Sequence, residues 1–149
     1  MWSKVGSGRG YPGAMTELLD RLRARGWRLT AQRRAVAEVL AGTHVHLTAD
    51  EVLDRAVALV PEVSRATVYN TLNELVELGE LREVSIDGRA KRYDPNVSGP
   101  HHHLLCTGCG LILDVPGGDP GGLPRRERHG FVVDAVEVVY RGRCPRCRA

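Results

Sequence analysis

The chain has 149 residues, with 21 lysine and arginine side chains against 18 aspartate and glutamate side chains. This length predicts one ordinary domain or two small ones, and the net charge of +3 permits a nucleic-acid partner without requiring one. No apolar run is long enough to predict a transmembrane span, and residues 1–15 lack the apolar segment of a secretory signal, so we expect a cytoplasmic protein.

The first part of the chain is predicted to be helical after a short tail. Residues 1–15 are rich in glycine and serine without periodicity, which predicts a flexible tail. Leucines at helical spacing predict a first helix over Thr16–Arg25. Thr30 is then placed to cap the start of a second helix.

Two further helices have clear start signals. The sequence Thr48-Ala-Asp-Glu51 is a capping box and predicts a third helix that runs to about Val60, where Pro61 stops it. Ser64 is placed to cap a fourth helix, predicted over Arg65–Leu78.

Two short strand-like runs follow the fourth helix. They are Leu81–Ile86 and Ala90–Tyr93, and Asp87-Gly88 between them is a hairpin signal. Three helices followed by a hairpin are the order of a winged helix-turn-helix, so residues 16–95 are predicted to form a DNA-binding domain of that class.

The remainder of the chain has a different composition. After a linker at residues 96–100, apolar and β-branched residues predict strands over 103–115 and 131–140, separated by a Gly- and Pro-rich loop at Pro116–Pro124. Residues 101–149 are therefore predicted to form a small α/β dimerisation domain, and the whole chain an α+β fold.

All four cysteines lie in this second domain, as two Cys-x-x-Cys pairs. Four thiolates in this arrangement are typical of a structural zinc site, and a reducing compartment favours metal over disulfides. Redox-active or free thiols are the alternative. A zinc deaminase is disfavoured because the sequence lacks the His-x-Glu motif, and a thioredoxin-like role because the flanks lack a βαβ pattern. The predicted zinc ligands are Cys106, Cys109, Cys144 and Cys147.

A second group of candidate ligands consists of histidines and aspartates. In a strand, His101 and His103 would lie on one face and His102 on the other, so the first two could form part of a metal site. Three imidazoles and two carboxylates suit Fe²⁺, Mn²⁺ or Zn²⁺, and such a site would join the two domains. The alternative is a solvated histidine run with aspartates that only cap loops. The candidate ligands are His46, Asp94, His101, His103 and Asp114.

The fourth helix carries short polar side chains at its start, which suit entry into a DNA major groove. Basic residues of the hairpin and the second helix could contact phosphates. A solvated helix face is the alternative. The candidate DNA contacts are Arg65, Thr67, Tyr69 and Asn70 on the fourth helix, Arg89, Lys91 and Arg92 on the hairpin, and Arg33 on the second helix.

Four strings in this order resemble the ferric-uptake-regulator family of metal-dependent repressors. They are Arg28–Arg33, His46–Glu51, Ser64–Asn70 and His101–Cys109. The resemblance implies a homodimer, not an enzyme, that binds a palindromic, AT-rich operator in double-stranded DNA. It also implies one structural Zn²⁺ and one regulatory Fe²⁺ or Mn²⁺.

Within that family the sequence is most similar to the peroxide-sensing repressors, because aspartate stands at both Asp94 and Asp114 where other branches commonly have glutamate or cysteine. In those repressors H₂O₂ reacts at bound Fe²⁺ and oxidises a histidine ligand to 2-oxo-histidine. The matching positions here are His46 and His101. DNA is then released, and oxidative-defence genes such as catalase are derepressed.

Three other functions stay open from the sequence. The chain could be an uptake regulator that responds only to the level of iron, manganese or zinc. It could instead be a peroxide-consuming enzyme or a zinc-stabilised interaction module. Two departures from the family pattern also predict differences: Pro100 and Asp134 argue against a further metal site, and the composition of Pro116–Pro124 predicts a short following helix.

Overall fold

A computed structural model describes residues 12–41, 45–86, 88–97, 99–117 and 122–149. The chain divides into two compact units between Val97 and Ser98. Within the described ranges, no helix is both long enough and apolar enough to cross a membrane.

The first unit contains four helices and a small sheet. Helix α1 begins four residues before the predicted Thr16, so the prediction of a tail as far as residue 15 is wrong at its end; proline is well suited to a first helical turn. Residues 1–11 of the predicted tail lie outside the described residues. The helices are α1 Pro12–Ala24, α2 Ala31–Leu40, α3 Ala49–Leu59 and α4 Arg65–Glu77.

The helix starts confirm the capping predictions. The hydroxyl of Thr30 accepts from the backbone N–H of Arg33, and that of Ser64 from Thr67. Thr48 and Glu51 form the complete capping box, since each side chain accepts from the other's backbone N–H. These bonds satisfy N–H groups that the helix itself cannot pair.

The wing is a three-stranded antiparallel sheet in the order β1-β3-β2, made of β1 Leu47–Thr48, β2 Arg82–Val84 and β3 Arg92–Asp94. The paired strands are shorter than predicted, and β1 was not predicted because two residues cannot show a periodicity. Gly88 has a φ of +64°, as a tight turn requires, whereas Asp87 lies outside the described residues.

The apolar stripes of the four helices meet in one core. Its fully buried members include Leu22 of α1, Leu40 of α2, Val52 of α3 and Leu72 of α4. Tyr93 of β3 also belongs to this cluster, so the wing is anchored on the helices. The first unit is a winged helix-turn-helix, and it contains every residue of the cluster.

The second unit is built on a sheet of order β5-β4-β6. Strand β4 (His101–Cys106) pairs antiparallel with β5 (Ile112–Pro116) and parallel with β6 (Val139–Gly142). A 3₁₀ helix, Arg125–Arg128, and a terminal helix, α5 Pro145–Arg148, complete its regular elements among the described residues. The fold class is α+β, as predicted.

Two strand predictions in this unit need correction. The run 103–115 is two strands, because the turn that carries Cys109 interrupts it. The run 131–140 forms a strand only from Val139; residues 131–138 are not in a strand, and Phe131 and Val132 are 76% and 85% exposed. The helix after the loop is indeed short, while residues 118–121 of that loop lie outside the described residues.

Candidate metal centres and nucleic-acid interface

The four cysteines come together at one end of the second unit. Cys106 ends β4, Cys109 follows in the turn, and Cys144 and Cys147 lie at the start of α5 and within it. Their sulfur atoms all lie within 4.8 Å of one another, and the Sγ atoms of Cys109 and Cys144 are 3.9 Å apart. A Zn–S bond of about 2.3 Å gives a tetrahedral S–S edge of about 3.8 Å, so this arrangement fits zinc.

Backbone amides favour the thiolate form at Cys106. Hydrogen bonds from the N–H groups of Cys144, Cys109 and Gly108 lower the pKa of Cys106 to about 6, although burial opposes the shift. The Sγ of Cys106 lies 3.2 Å from the amide nitrogen of Cys144. At Cys147, hydrogen bonds with the other three cysteine side chains, led by Cys144, raise the pKa to about 12. These backbone hydrogen bonds therefore favour the thiolate form of Cys106, which is the form that binds a metal ion.

Gly108 lets the two Cys-x-x-Cys segments, here called knuckles, lie close to each other. A Cβ atom at this position would lie 2.8 Å from Cys147 Cβ and 2.9 Å from its Sγ. Gly110, with a φ of +76°, reverses the chain after Cys109. Gly108 is thus required because a side chain there would collide with Cys147, and Gly110 because its backbone has a positive φ.

A second candidate centre in this unit consists of His101, His103 and Asp114, here called the second-unit cluster. His103 is paired with Asp114 across β4 and β5, and His101 lies two residues earlier on the same face of β4. Both imidazole Nε2 atoms lie 3.6 Å from Asp114 Oδ1, and the two rings are 4.9 Å apart at their centroids.

The Nδ1 atoms of both histidines have hydrogen-bond acceptors. His101 Nδ1 lies 3.2 Å from the carbonyl oxygen of Gly99, and His103 Nδ1 lies 2.8 Å from Glu137 Oε1. With Nδ1–H as donor, Nε2 is the ring nitrogen that carries the lone pair in each neutral imidazole, as in typical metal-ligating histidines. No local sequence signal marks Glu137, because it is 34 positions from His103 and lies in a run predicted to be a plain strand.

His102 has a different environment, as the strand alternation predicted. It is buried, its Nδ1 accepts from the backbone N–H of Val138 at 3.3 Å, and its ring packs edge-on against Tyr140. This histidine therefore ties β4 to the chain before β6.

In the first unit, His46 and Asp94 form a buried pair, here called the first-unit pair. The register of β1 with β3 brings them together, because Leu47 is opposite Tyr93. His46 Nε2 lies 3.5 Å from Asp94 Oδ2. The main chain of this pair is held by Arg92, whose Nη1 donates to the carbonyl of His46 at 2.8 Å.

The donor sets of the pair and of the cluster both suit a divalent cation. Metal–nitrogen and metal–oxygen bonds of about 2.1 Å place neighbouring tetrahedral ligands about 3.4 Å apart. The Nε2–carboxylate separations of 3.5 and 3.6 Å are close to this value. Imidazole and carboxylate ligands are those preferred by Fe²⁺, Mn²⁺ and Zn²⁺.

The start of α4 presents most of the predicted DNA contacts to solvent. Arg65 and Asn70 are exposed, and Tyr69 is 41% exposed. Thr67 is only partly exposed, and its backbone and hydroxyl both bond to Ser64. Arg65 forms an ion pair with the exposed Asp50 of α3, a contact that a phosphate could replace.

The remaining basic candidates differ in their surroundings. Arg89 and Lys91 are exposed on the wing, and Lys91 pairs with Glu83 at 2.9 Å. Arg33 and Arg92 are partly buried and have intramolecular partners, so their phosphate contacts stay a prediction. Arg33 lies 3.8 Å above the Trp27 ring and 2.6 Å from Glu74 Oε2, and Arg92 bonds to the carbonyl of His46.

Comparison with known proteins gives a consistent result. Residues 24–120 match the ferric uptake regulator family. The chain is 33% identical over 136 residues to the transcriptional regulator FurA of Mycobacterium tuberculosis, covering 90% of this chain and 92% of that protein. It is 31% identical over 136 residues to the peroxide-responsive repressor PerR of Staphylococcus aureus, covering 90% and 91%.

Solved structures agree on the fold. The ferric uptake regulator Fur of Helicobacter pylori, described as having three functional metal binding sites, superposes with a TM-score of 0.68 at 21% identity and covers 91% of this chain and 94% of its own. From the sequence match, the relatives and this fold, the chain belongs to the ferric uptake regulator family, whose members are metal-dependent transcriptional regulators and not enzymes.

Proposed function

We propose that this regulator is a repressor that senses hydrogen peroxide through a bound Fe²⁺ ion. The regulatory ion, Fe²⁺ or Mn²⁺, has as its proposed ligands the first-unit pair and the second-unit cluster. The cysteine quartet holds a separate, structural Zn²⁺. The observation that carries the proposal is the donor set: all five ligands are imidazole or aspartate, with no thiolate and no glutamate among them.

The chemistry of this ligand set supports the proposal. Fe²⁺ held by these hard oxygen and imidazole ligands would supply the redox chemistry that activates peroxide. In the net reaction, one molecule of H₂O₂ would transfer one oxygen atom to a histidine ligand and leave as water. The proposed targets are His46 and His101. An oxidised imidazole binds metal poorly, so the form that binds DNA loses its stabilising ion.

DNA binding and dimerisation belong to the same proposal. Arg65, Tyr69 and Asn70 enter the major groove, while Arg89 and Lys91 contact phosphates. We propose that the homodimer forms over apolar side chains that the second unit exposes, because their burial against a partner removes apolar surface from water. They include Leu104, Phe131, Val132, Val133, Val136 and Tyr140. The operator is a palindrome, expected to be AT-rich, since two recognition helices read its two halves.

Peptide mass spectrometry on protein loaded with Fe²⁺ or with Mn²⁺ and then exposed to low peroxide tests the sensor. We expect one added oxygen atom on His46 or His101 with Fe²⁺ and none with Mn²⁺. His102 is an internal control, because it shares a peptide with His101 but bonds to Val138 on the other face of β4. DNA affinity, measured on the same samples, should fall in step with the oxidised fraction.

The alternative is a regulator of iron, manganese or zinc uptake that responds only to metal level. The match to the ferric uptake regulator family supports this alternative. It predicts unmodified His46 and His101 after peroxide, with DNA binding that still depends on metal concentration. Oxidation spread equally over His101, His102 and the exposed His129 would also contradict the sensor, since it would show general damage.

A further inference from the structure

We propose that Glu137 is a positioning residue for the regulatory metal: its carboxylate holds the His103 imidazole in the Nδ1–H form and so directs the Nε2 lone pair toward Asp114. This inference rests on the proposed metal site. Glu137 is not one of the five proposed ligands. It lies in residues 131–138, which form no strand in the described part of the second unit.

The hydrogen-bond geometry determines which nitrogen carries the proton. Glu137 Oε1 lies 2.8 Å from His103 Nδ1, and a carboxylate in its ordinary ionised form can only accept. Nδ1 must therefore donate, and in the neutral imidazole this leaves Nε2 as the acceptor atom on the side of Asp114, at 3.6 Å. His103 is buried, with 3% of its side chain exposed, so water does not replace this partner freely.

The main chain keeps Glu137 in place. Its neighbour Val138 makes two bonds to β4: its carbonyl accepts from the backbone N–H of His103 at 3.0 Å, and its own N–H donates to His102 Nδ1 at 3.3 Å. Residue 138 is thus fixed against the strand that carries both histidines. Glu137 has 55% of its side chain exposed, and its removal leaves no cavity in the core.

The two histidines of the cluster are held by unequal acceptors. His101 donates to a neutral carbonyl, that of Gly99 at 3.2 Å, whereas His103 donates to a charged carboxylate at 2.8 Å. A charged acceptor strengthens the hydrogen bond and raises the basicity of the imidazole as a ligand. His103 is therefore the stronger nitrogen donor of the two.

The test compares Glu137→Ala, Glu137→Gln and the matched control Asp134→Ala, which removes an exposed carboxylate of the same segment. Nitrogen-15 NMR of the histidine rings, at a pH of roughly 8, above the ordinary pKa of imidazole, reports the tautomer without added regulatory metal. We expect the Nδ1–H form of His103 in the wild type, in Asp134→Ala and in Glu137→Gln, whose amide oxygen still accepts. In Glu137→Ala we expect the Nε2–H form to appear.

Mn²⁺ affinity, measured by competition with a chelator, gives the second readout. Glu137→Ala should bind Mn²⁺ about 10–100-fold more weakly, with Glu137→Gln in between and Asp134→Ala unchanged. An unchanged tautomer in Glu137→Ala, or equal losses in Glu137→Ala and Asp134→Ala, would overturn the proposal. If His103→Ala left Mn²⁺ affinity unaltered, the proposed regulatory site would fail, while the tautomer measurement would still decide the role of Glu137.

Discussion

At the scale of single residues, a metal centre depends on its ligands and also on the small residues that let those ligands lie close together. The cysteine quartet shows this most clearly at Gly108, which has no side chain where one would collide with Cys147. Gly142, in the same unit, has open space around the position of a Cβ atom. Alanine at each of the two glycines therefore tests whether the collision with Cys147, and not the loss of a glycine as such, weakens the zinc site.

We expect Gly108→Ala to weaken zinc binding and to destabilise the second unit by about 1–3 kcal/mol, because the added methyl group must displace Cys147. Gly142→Ala should change neither by more than about 0.5 kcal/mol. Zinc release to a colorimetric chelator and thermal unfolding measure both effects. Equal behaviour of the two variants would show that the close contact at Gly108 is relieved at no cost.

At the scale of elements, a side-chain network ties the helices of the first unit together around α4. Glu74 accepts from Trp27 Nε1 at 2.8 Å and from Arg33 Nη2 at 2.6 Å, and the guanidinium of Arg33 stacks on the Trp27 ring. These contacts join α2 and the loop that precedes it to the helix that we expect to read DNA. Arg33 thus acts in packing, not as a free basic side chain.

Glu74→Ala should lower the free energy of unfolding by about 1–2 kcal/mol, since two hydrogen bonds are lost but the carboxylate is 44% exposed. Glu77→Ala, an exposed position on the same helix, is the control and should be near neutral. Urea titrations measure both. A double-mutant cycle with Arg33→Ala should give a coupling energy above about 0.5 kcal/mol, and strict additivity would contradict the network.

At the scale of the whole molecule, the two units differ in what holds them together. Every member of the large apolar cluster belongs to the first unit. Among the described residues of the second unit, the buried hydrophobic side chains are only Leu105, Cys106 and Ile112. A core of this size is marginal without a structural metal, whose binding free energy becomes folding free energy.

Removal of zinc should therefore unfold the second unit and leave the first unit folded. Amide NMR spectra of the reduced protein after chelation, or of Cys109→Ser, should keep dispersed resonances for α1–α4 and lose them for β4–β6. A spectrum that stays dispersed in both units would show that zinc is dispensable for the fold. One that collapses throughout would show that the first unit depends on the second.

The sequence by itself determined the features that are local in the chain: the caps at Thr30, Thr48 and Ser64, and the two Cys-x-x-Cys knuckles. Each of these features involves residues only a few positions apart, so the local backbone geometry brings them together whatever the rest of the fold. The ligand candidates of each unit were also identified, with the resemblance to a known family guiding the choice. Short strands such as β1 were missed because they carry no periodicity.

Only the tertiary structure decided which partners the side chains have across long sequence separations. Glu137 bonds to His103 across 34 positions, and Arg33 bonds to Glu74 across 41. Nothing in the residue types distinguishes these from solvated charges, because the contact depends on strand register and helix packing. For the same reason, only the tertiary structure shows that Arg33 and Arg92, both predicted DNA contacts, have intramolecular partners, and that Glu137 lies beside His103.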